Sequence, residues 1–292
     1  MSQFNDQTLL VTGASGNLGR LAVEELLARG ATKVVAGTRD PAKLADLAAR
    51  GVDVRKVDFN DADLAAAFAG VDRLLLISTD AVGARVEQQR NAVTAAKAAG
   101  VKHIVYTSAP NPRPNPGTGV SPEHFWTEQA IIASGLDFTL LRDNIYTEIF
   151  LMGAASAIAS GQLFDATGGQ GRSYVSRADV ARTVAGALLS ADGKSIHDVT
   201  GPEAVTQADL AALLAQLSGK PVARIGLTGA ELRGGMLAAG LPEGLVDVMV
   251  AFDLDAAEGY HAVVTDIVER FSGRKPQSVA DFLADHRAAL TA

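Results

Sequence analysis

Over its first 150 residues the chain alternates short apolar runs with alanine-rich stretches of helical spacing, the pattern of βαβ units around a parallel sheet. Thr8-Leu9-Leu10-Val11 is an apolar run broken by Gly13, and a helical stretch follows from Asn17 to about Arg29. Leu18, Leu21, Ala22, Glu25, Leu26 and Arg29 stand at helical spacing there, so one face is mainly apolar, and Gly30 supplies the stop. Further strands are expected at Lys33–Thr38, Asp53–Phe59, Arg73–Ser78, Lys102–Ser108 and Phe138–Arg142, with crossover helices such as Gly83–Ala99 between them. Parallel crossovers are almost always right-handed, so these elements build an open, doubly wound Rossmann-type α/β sheet.

After residue 150 the alternation weakens. Ser176–Leu189 reads as a helix, Ile196–Thr200 as a strand, and Gln207–Leu217 as an amphipathic helix with Leu210, Leu213, Leu214 and Leu217 on one stripe. Gly-Leu-Pro-Glu-Gly at 240–244 marks a turn between helices. Residues 1–150 are therefore read as the Rossmann domain. Residues 151–292 are read as a smaller C-terminal α/β lobe over the same sheet edge, with segments able to return to the sheet. Pro110 to Pro122 carries five prolines and two glycines and reads as a loop at the carboxyl edge, where a lid or substrate wall belongs.

Composition narrows the function. Hydrophobic residues make up 48% and charged residues 20% of the 292, ordinary globular usage, and the chain has no cysteine for disulfides, thiolate sites or nucleophiles. The five histidines (His103, His124, His197, His261, His286) show no i, i+4 pair, so no metal site is expected. The formal charge of −7 argues against nucleic acid as a partner. No apolar run approaches a membrane span, and Met1 to Asp6 lacks the basic and apolar regions of a signal peptide, so a soluble cytoplasmic protein is expected.

Gly13-Ala14-Ser15-Gly16-Asn17-Leu18-Gly19 lies directly after an apolar strand and opens a helix. The free amides and positive dipole end of a helix attract a pyrophosphate, and glycines permit the tight turn and close approach of ligand and strand. The spacing is G-x-x-G-x-x-G; the strand before and the helix after it make it a dinucleotide site, with Gly13, Ser15, Gly16, Asn17, Leu18 and Gly19 as contacts. Where an NAD enzyme places an acidic residue after the second strand, this chain has Thr38-Arg39-Asp40, with Lys43 close behind. Arg39 is either a fork for a 2′-phosphate or a solvated strand-end charge. The first reading favours NADPH over NADH. Asp40, before Pro41, is suited to cap the next helix. Asp58 and Phe59, Ser78 and Thr79, and Thr107 and Ser108 end the next three strands, as cofactor contacts or as simple strand termini.

Several stretches together carry a resemblance: Thr12 to Gly19, Leu74-Leu75-Leu76-Ile77-Ser78, Ala95 to Ile104, Thr139-Leu140-Leu141-Arg142 with Tyr146, and Leu241 to Leu245. In these the chain resembles the atypical short-chain dehydrogenase/reductase group of NmrA-like architecture, and within it the branch of type 2 NAD(P)H:quinone oxidoreductases and triphenylmethane reductases. The resemblance covers nearly the whole chain. It implies NADPH-dependent reduction of quinones or similar flat, electron-poor acceptors, or else an NADP-binding redox sensor of NmrA type without turnover.

Typical short-chain dehydrogenases relay protons through Tyr and Lys four residues apart, but Tyr106, Tyr146, Tyr174 and Tyr260 are followed at that spacing by Pro110, Phe150, Ala178 and Val264. Alcohol–ketone chemistry, and nucleotide-sugar epimerisation with it, is therefore disfavoured. Quinone reduction asks mainly for position and a dry pocket. The resemblance aligns a histidine with His124, whose ordinary pKa near 6.5 suits a proton donor; the competing reading is a structural histidine in a helix's first turn. Tyr146 is the second catalytic candidate, as acid or as pocket wall. The group typically carries Asn at the position of Asp143, so the contact to nicotinamide falls to Asp143 or to Asn144. Phe125, Trp126 and Phe150 are either stacking surfaces or core. The expected partner is a small quinone-like acceptor, for a monomer or homodimer.

Overall fold

The computed structural model describes residues 6–114 and 120–291. The first five residues, read above for a leader, and residues 115–119 of the proline-rich loop lie outside the described residues. The order is β1 (Leu9–Val11), α1 (Asn17–Ala28), β2 (Val34–Thr38), a short 3₁₀ turn, α2 (Ala45–Ala49), β3 (Asp53–Lys56), α3 (Leu64–Ala67), β4 (Arg73–Leu76), α4 (Arg85–Ala98) and β5 (His103–Ser108). It continues with α5 (Ser121–Ser134), β6 (Asp137–Asp143), α6 (Thr147–Ser160), β7 (Gln162–Asp165), α7 (Arg177–Ser190), β8 (Lys194–Val199), α8 (Gln207–Ser218) and β9 (Ala223–Gly226). The last helices are α9 (Gly229–Ala238), α10 (Glu243–Ala257), α11 (Ile267–Ser272), α12 (Val279–Asp285) and α13 (Arg287–Thr291).

Seven strands form one sheet in the order β3-β2-β1-β4-β5-β6-β8, every pair parallel. The order reverses between β1 and β4, and ligands of such sheets lie at that switch, beyond the strands' carboxyl ends. Strand alternation divides the core between the two faces. Val105 belongs to the cluster shared with α1 and α7, and its neighbour Tyr106 to the cluster shared with α4. β8, from the second half of the chain, extends the sheet beside β6.

The local devices are ordinary. Gly30 adopts φ +82° after α1, where a left-handed residue ends a helix at least cost. Ser176 caps α7 by accepting from the Asp179 amide, and Thr206 with Asp209 forms a capping box on α8. Arg73 is buried, its guanidinium donating to the carbonyls of Leu188 (2.6 Å) and Ala191 (2.6 Å), so β4 is tied to the end of α7.

The structure corrects several boundaries. β3 ends at Lys56, so Asp58 and Phe59 lie beyond the ladder rather than at its last rungs. The proline-rich stretch is not loop throughout, because Ser121 and Pro122 form the first turn of α5, where proline at N1 or N2 loses no hydrogen bond. β7 and β9 form a separate two-stranded parallel sheet of four-residue strands, too short to carry a readable period.

Candidate functional site

The turn after β1 is held from both neighbouring strands. Thr12 donates its amide and hydroxyl to the Leu75 carbonyl, and the Ala14 amide donates to the Gly37 carbonyl at 2.9 Å. Gly13 has φ +61°, a left-handed conformation that disfavours a side chain. A Cβ on Gly19 would stand 2.2 Å from the Gly13 carbonyl oxygen, so only glycine lets α1 start this close to the strand. No side chain caps the first turn of α1 and no acidic residue lies in it, which leaves its amides and dipole available to an anion. Gly13, Ser15, Gly16 and Asn17 are exposed there, while Leu18 and Gly19 are buried beneath.

The Ser15 and Thr38 hydroxyls lie 2.8 Å apart, which fastens the loop to the end of β2. Exposed Arg39 is the next residue, and exposed Lys43 lies one turn further. Asp40 accepts from the Ala42 amide at 3.2 Å and so caps the turn that carries Lys43. The glycine cradle, the uncapped helix start and the neighbouring guanidinium fit a phosphorylated dinucleotide.

The other strand ends divide in role. Asp58 closes its own turn by accepting from the Asn60 amide at 3.0 Å, and the Phe59 ring is buried in the α4-side core rather than standing as a wall for adenine. The Ser78 amide donates to the Thr107 hydroxyl at 2.9 Å, joining the ends of β4 and β5. Ser108 donates to buried Glu128 at 2.7 Å, which also receives the Arg142 guanidinium at 3.0 and 2.8 Å. The Thr79 carbonyl accepts from Arg85 at 2.7 Å, and its buried hydroxyl has no hydrogen-bond partner among the described residues.

His124 is buried between two partners, with Nδ1 2.8 Å from the Tyr106 hydroxyl and Nε2 3.2 Å from the Arg85 guanidinium. Arginine can only donate, so Nε2 accepts and the proton sits on Nδ1. Burial, with Arg85 alongside, pushes the imidazole down to about 3. The ordinary value near 6.5 expected of His124 does not hold, and the ring is neutral at neutral pH. Glu123 completes the cluster, accepting from the Gly83 amide at 2.8 Å with its other oxygen 3.6 Å from Arg85.

At the end of β6, Tyr146 donates to Asp143 at 3.1 Å, and the Arg177 guanidinium lies 5.2 Å from the Tyr146 ring centre. The second Asp143 oxygen is buried without a partner among the described residues, and burial pushes this carboxyl up to about 8 against the opposing hydrogen bond from Tyr146. Burial, then Asp143 itself, pushes the Tyr146 phenol well above its ordinary value. The Asn144 amide is taken up internally: it donates to Ser173 (2.9 Å) and to the His261 carbonyl (3.0 Å) and accepts from the Ile145 amide (2.8 Å). Tyr146 packs on the α1 and α7 face and His124 bonds Tyr106 of the opposite face, so the two catalytic candidates do not meet. Trp126 is 43% exposed, and the half-buried Phe150 packs with the helices of the second half of the chain. Arg85 and Glu123 had no signal in the sequence, since nothing local marks which of many charges is buried.

The fold and this cradle define a nucleotide-binding α/β protein. The family model described as NAD(P)H-binding matches residues 13–191, and the chain belongs to that family. Over 255 residues, 86% of this chain and 88% of the relative, it is 40% identical to quinone oxidoreductase 2 of Escherichia coli. The crystal structure of an NADPH-dependent quinone oxidoreductase from Escherichia coli, complexed with NADPH, superposes with a TM-score of 0.91 at 36% identity, covering 96% of this chain and 99% of that one. The triphenylmethane reductase of Citrobacter sp. superposes with a TM-score of 0.87 at 29% identity, covering 97% and 99%.

Proposed function

We propose that the chain is an NADPH-dependent reductase of quinones or similar flat, electron-poor acceptors. The observation that carries this reading is the glycine cradle with Arg39 beside it at the carboxyl edge of a sheet. The likeness to quinone and dye reductases over nearly the full length supports it.

Gly13, Ser15, Gly16, Asn17, Leu18 and Gly19 would hold the pyrophosphate against the start of α1. Arg39, with Lys43, would receive the 2′-phosphate, and Asp58 with the turn carrying Phe59 would border adenine. Ser78, Thr79, Thr107 and Ser108, at the ends of β4 and β5, would border the nicotinamide end. When bound, the cofactor supplies the hydride; the protein then supplies position, dryness and a proton. His124 holds Arg85 and the segment after β4 in place, because a neutral buried imidazole is a poor acid. Asp143, kept protonated by burial, is the better proton holder and presents a donor and an acceptor oxygen, as an amide would. Tyr146 orients that carboxyl.

The test is a titration with NADPH and NADH, followed by a quinone and dye screen at about 340 nm, the absorbance band of the reduced nicotinamide. NADPH binding without acceptor-dependent loss of absorbance across the screen sinks the reductase reading and leaves a sensor. The working protein is proposed to be cytoplasmic, as a monomer or homodimer. Among the described residues no helix is long and apolar enough to cross a membrane.

A further inference from the structure

We propose that the furrow between helices α4 and α5 binds a small organic acid, an apolar body carrying one carboxylate or similar anionic group. The site is separate from the reductase reading, because it lies on the helix layer and away from the carboxyl edge that carries the cofactor cradle.

α4 and α5 pack side by side on one face of the sheet, joined where the Gln89 amide donates to the Thr127 hydroxyl at 2.8 Å. Further along both helices the side chains are too short to close the gap. The furrow there is floored by Val93 of α4 and by Ala130 and Ala133 of α5. Its free volume is about 280 Å³ and it is open to solvent, close to the lower end of ligand pockets.

The free polar groups come from one rim. Arg90, Thr94 and Lys97 stand at i, i+4 and i+7 of α4, on one stripe of the helix, and all three are exposed. None of the three side chains has an ion pair or hydrogen bond among the described residues. Ser134 of α5 also lines the furrow, but its hydroxyl is engaged, donating to the Ile131 carbonyl at 2.6 Å and accepting from the Leu136 amide at 3.2 Å. No acidic side chain lines the furrow. Glu123 and Glu128 of α5 are held elsewhere, the first by the Gly83 amide and the second by Ser108 and Arg142.

Two unpaired cations over an acid-free furrow are a local reversal in a chain of formal charge −7. Seven residues of α-helix rise about 10 Å, so Arg90 and Lys97 flank Thr94, and an anion over the Thr94 hydroxyl is within reach of both long side chains. Such an anion gains charge-assisted hydrogen bonds while its hydrocarbon covers Val93 and the two alanines. A bare inorganic anion would leave that floor wet. Trp126, the single tryptophan of the chain, stands one helical turn before Ala130 and is 43% exposed, so it borders the furrow and reports on it.

The experiment titrates the full chain with sodium octanoate, 1-octanol and inorganic phosphate, followed by Trp126 emission and by calorimetry, with and without saturating NADPH. Octanoate should saturate with a Kd of about 1 mM or tighter, and octanol and phosphate should each bind at least about tenfold more weakly. The double variant Arg90→Gln, Lys97→Gln should weaken octanoate about tenfold, and Ala130→Leu, which fills the floor, should do the same. The urea midpoint and NADPH affinity of each variant check that it is folded. Absence of saturable octanoate binding overturns the proposal, as does wild-type octanoate affinity in either variant. Octanol or phosphate binding as tightly as octanoate overturns the pairing of an anionic group with an apolar body. Displacement of octanoate by NADPH places it in the cofactor cradle and overturns the furrow. The reductase reading is tested by its own acceptor screen, so the two fail separately.

Discussion

Replacing Asp143 by asparagine tests whether burial at the end of β6 keeps a carboxyl protonated. In the folded chain this group is pushed up to about 8, roughly four pH units above the ~3.9 of a free aspartate. The unfolded chain releases the proton first. Stability from this group is therefore fully present below about pH 4 and is lost progressively as pH rises toward 8. At about 1.4 kcal/mol per pH unit the whole interval amounts to on the order of 5 kcal/mol, and the part between pH 5.5 and 8.5 to about 3 kcal/mol. Asparagine keeps an oxygen for the Tyr146 hydroxyl, 3.1 Å from the carboxyl now, but has nothing to ionise. It also leaves an amide hydrogen unpaired where the second carboxyl oxygen is now orphaned, at a cost of about 1–3 kcal/mol that does not vary with pH. Urea unfolding of wild type and Asp143→Asn at pH 5.5 and 8.5 isolates the pH-dependent part. The variant should gain about 2–3 kcal/mol on the wild type between the two conditions. A difference below about 0.5 kcal/mol would mean the carboxylate is ionised throughout, which removes Asp143 as a proton holder.

Gly19→Ala drives a Cβ to 2.2 Å from the Gly13 carbonyl, so the loop must shift; fluorescence titration should show at least about tenfold weaker NADPH binding, and unchanged affinity would contradict the cradle. Arg39→Ala should weaken NADPH about tenfold or more and NADH little, whereas equal losses would return Arg39 to a solvated charge. His124→Phe strips a partner from the Tyr106 hydroxyl and the Arg85 guanidinium and should lose about 2–4 kcal/mol in urea melts; an intact melt with lost turnover would restore a chemical role. On the acid side, His103, His124 and His261 are each held near 3 by burial, so the unfolded chain gains protons first as pH falls below about 6.5. Each should remove roughly 2 kcal/mol by pH 5, seen as a falling urea midpoint. A midpoint constant from pH 7 to 5 would show that these rings accept protons inside the fold.

The Rossmann framework and the glycine turn that opens α1 were legible in the sequence because both are local. Apolar runs of strand length, helical spacing after them and glycines at 13, 16 and 19 each act within a few residues of themselves. Tertiary structure alone decided the use of the remaining candidates. Alternation along β5 sends Val105 and Tyr106 to opposite faces, and that separation puts His124 and Tyr146 on different sides of the sheet. Asn144 bonds the carbonyl of a residue 117 positions away, and Phe59 turns into the core, contacts that leave no periodicity to read. The proton states of His124, His261 and Asp143 follow from desolvation, which depends on what the whole chain packs around them and not on their neighbours in sequence.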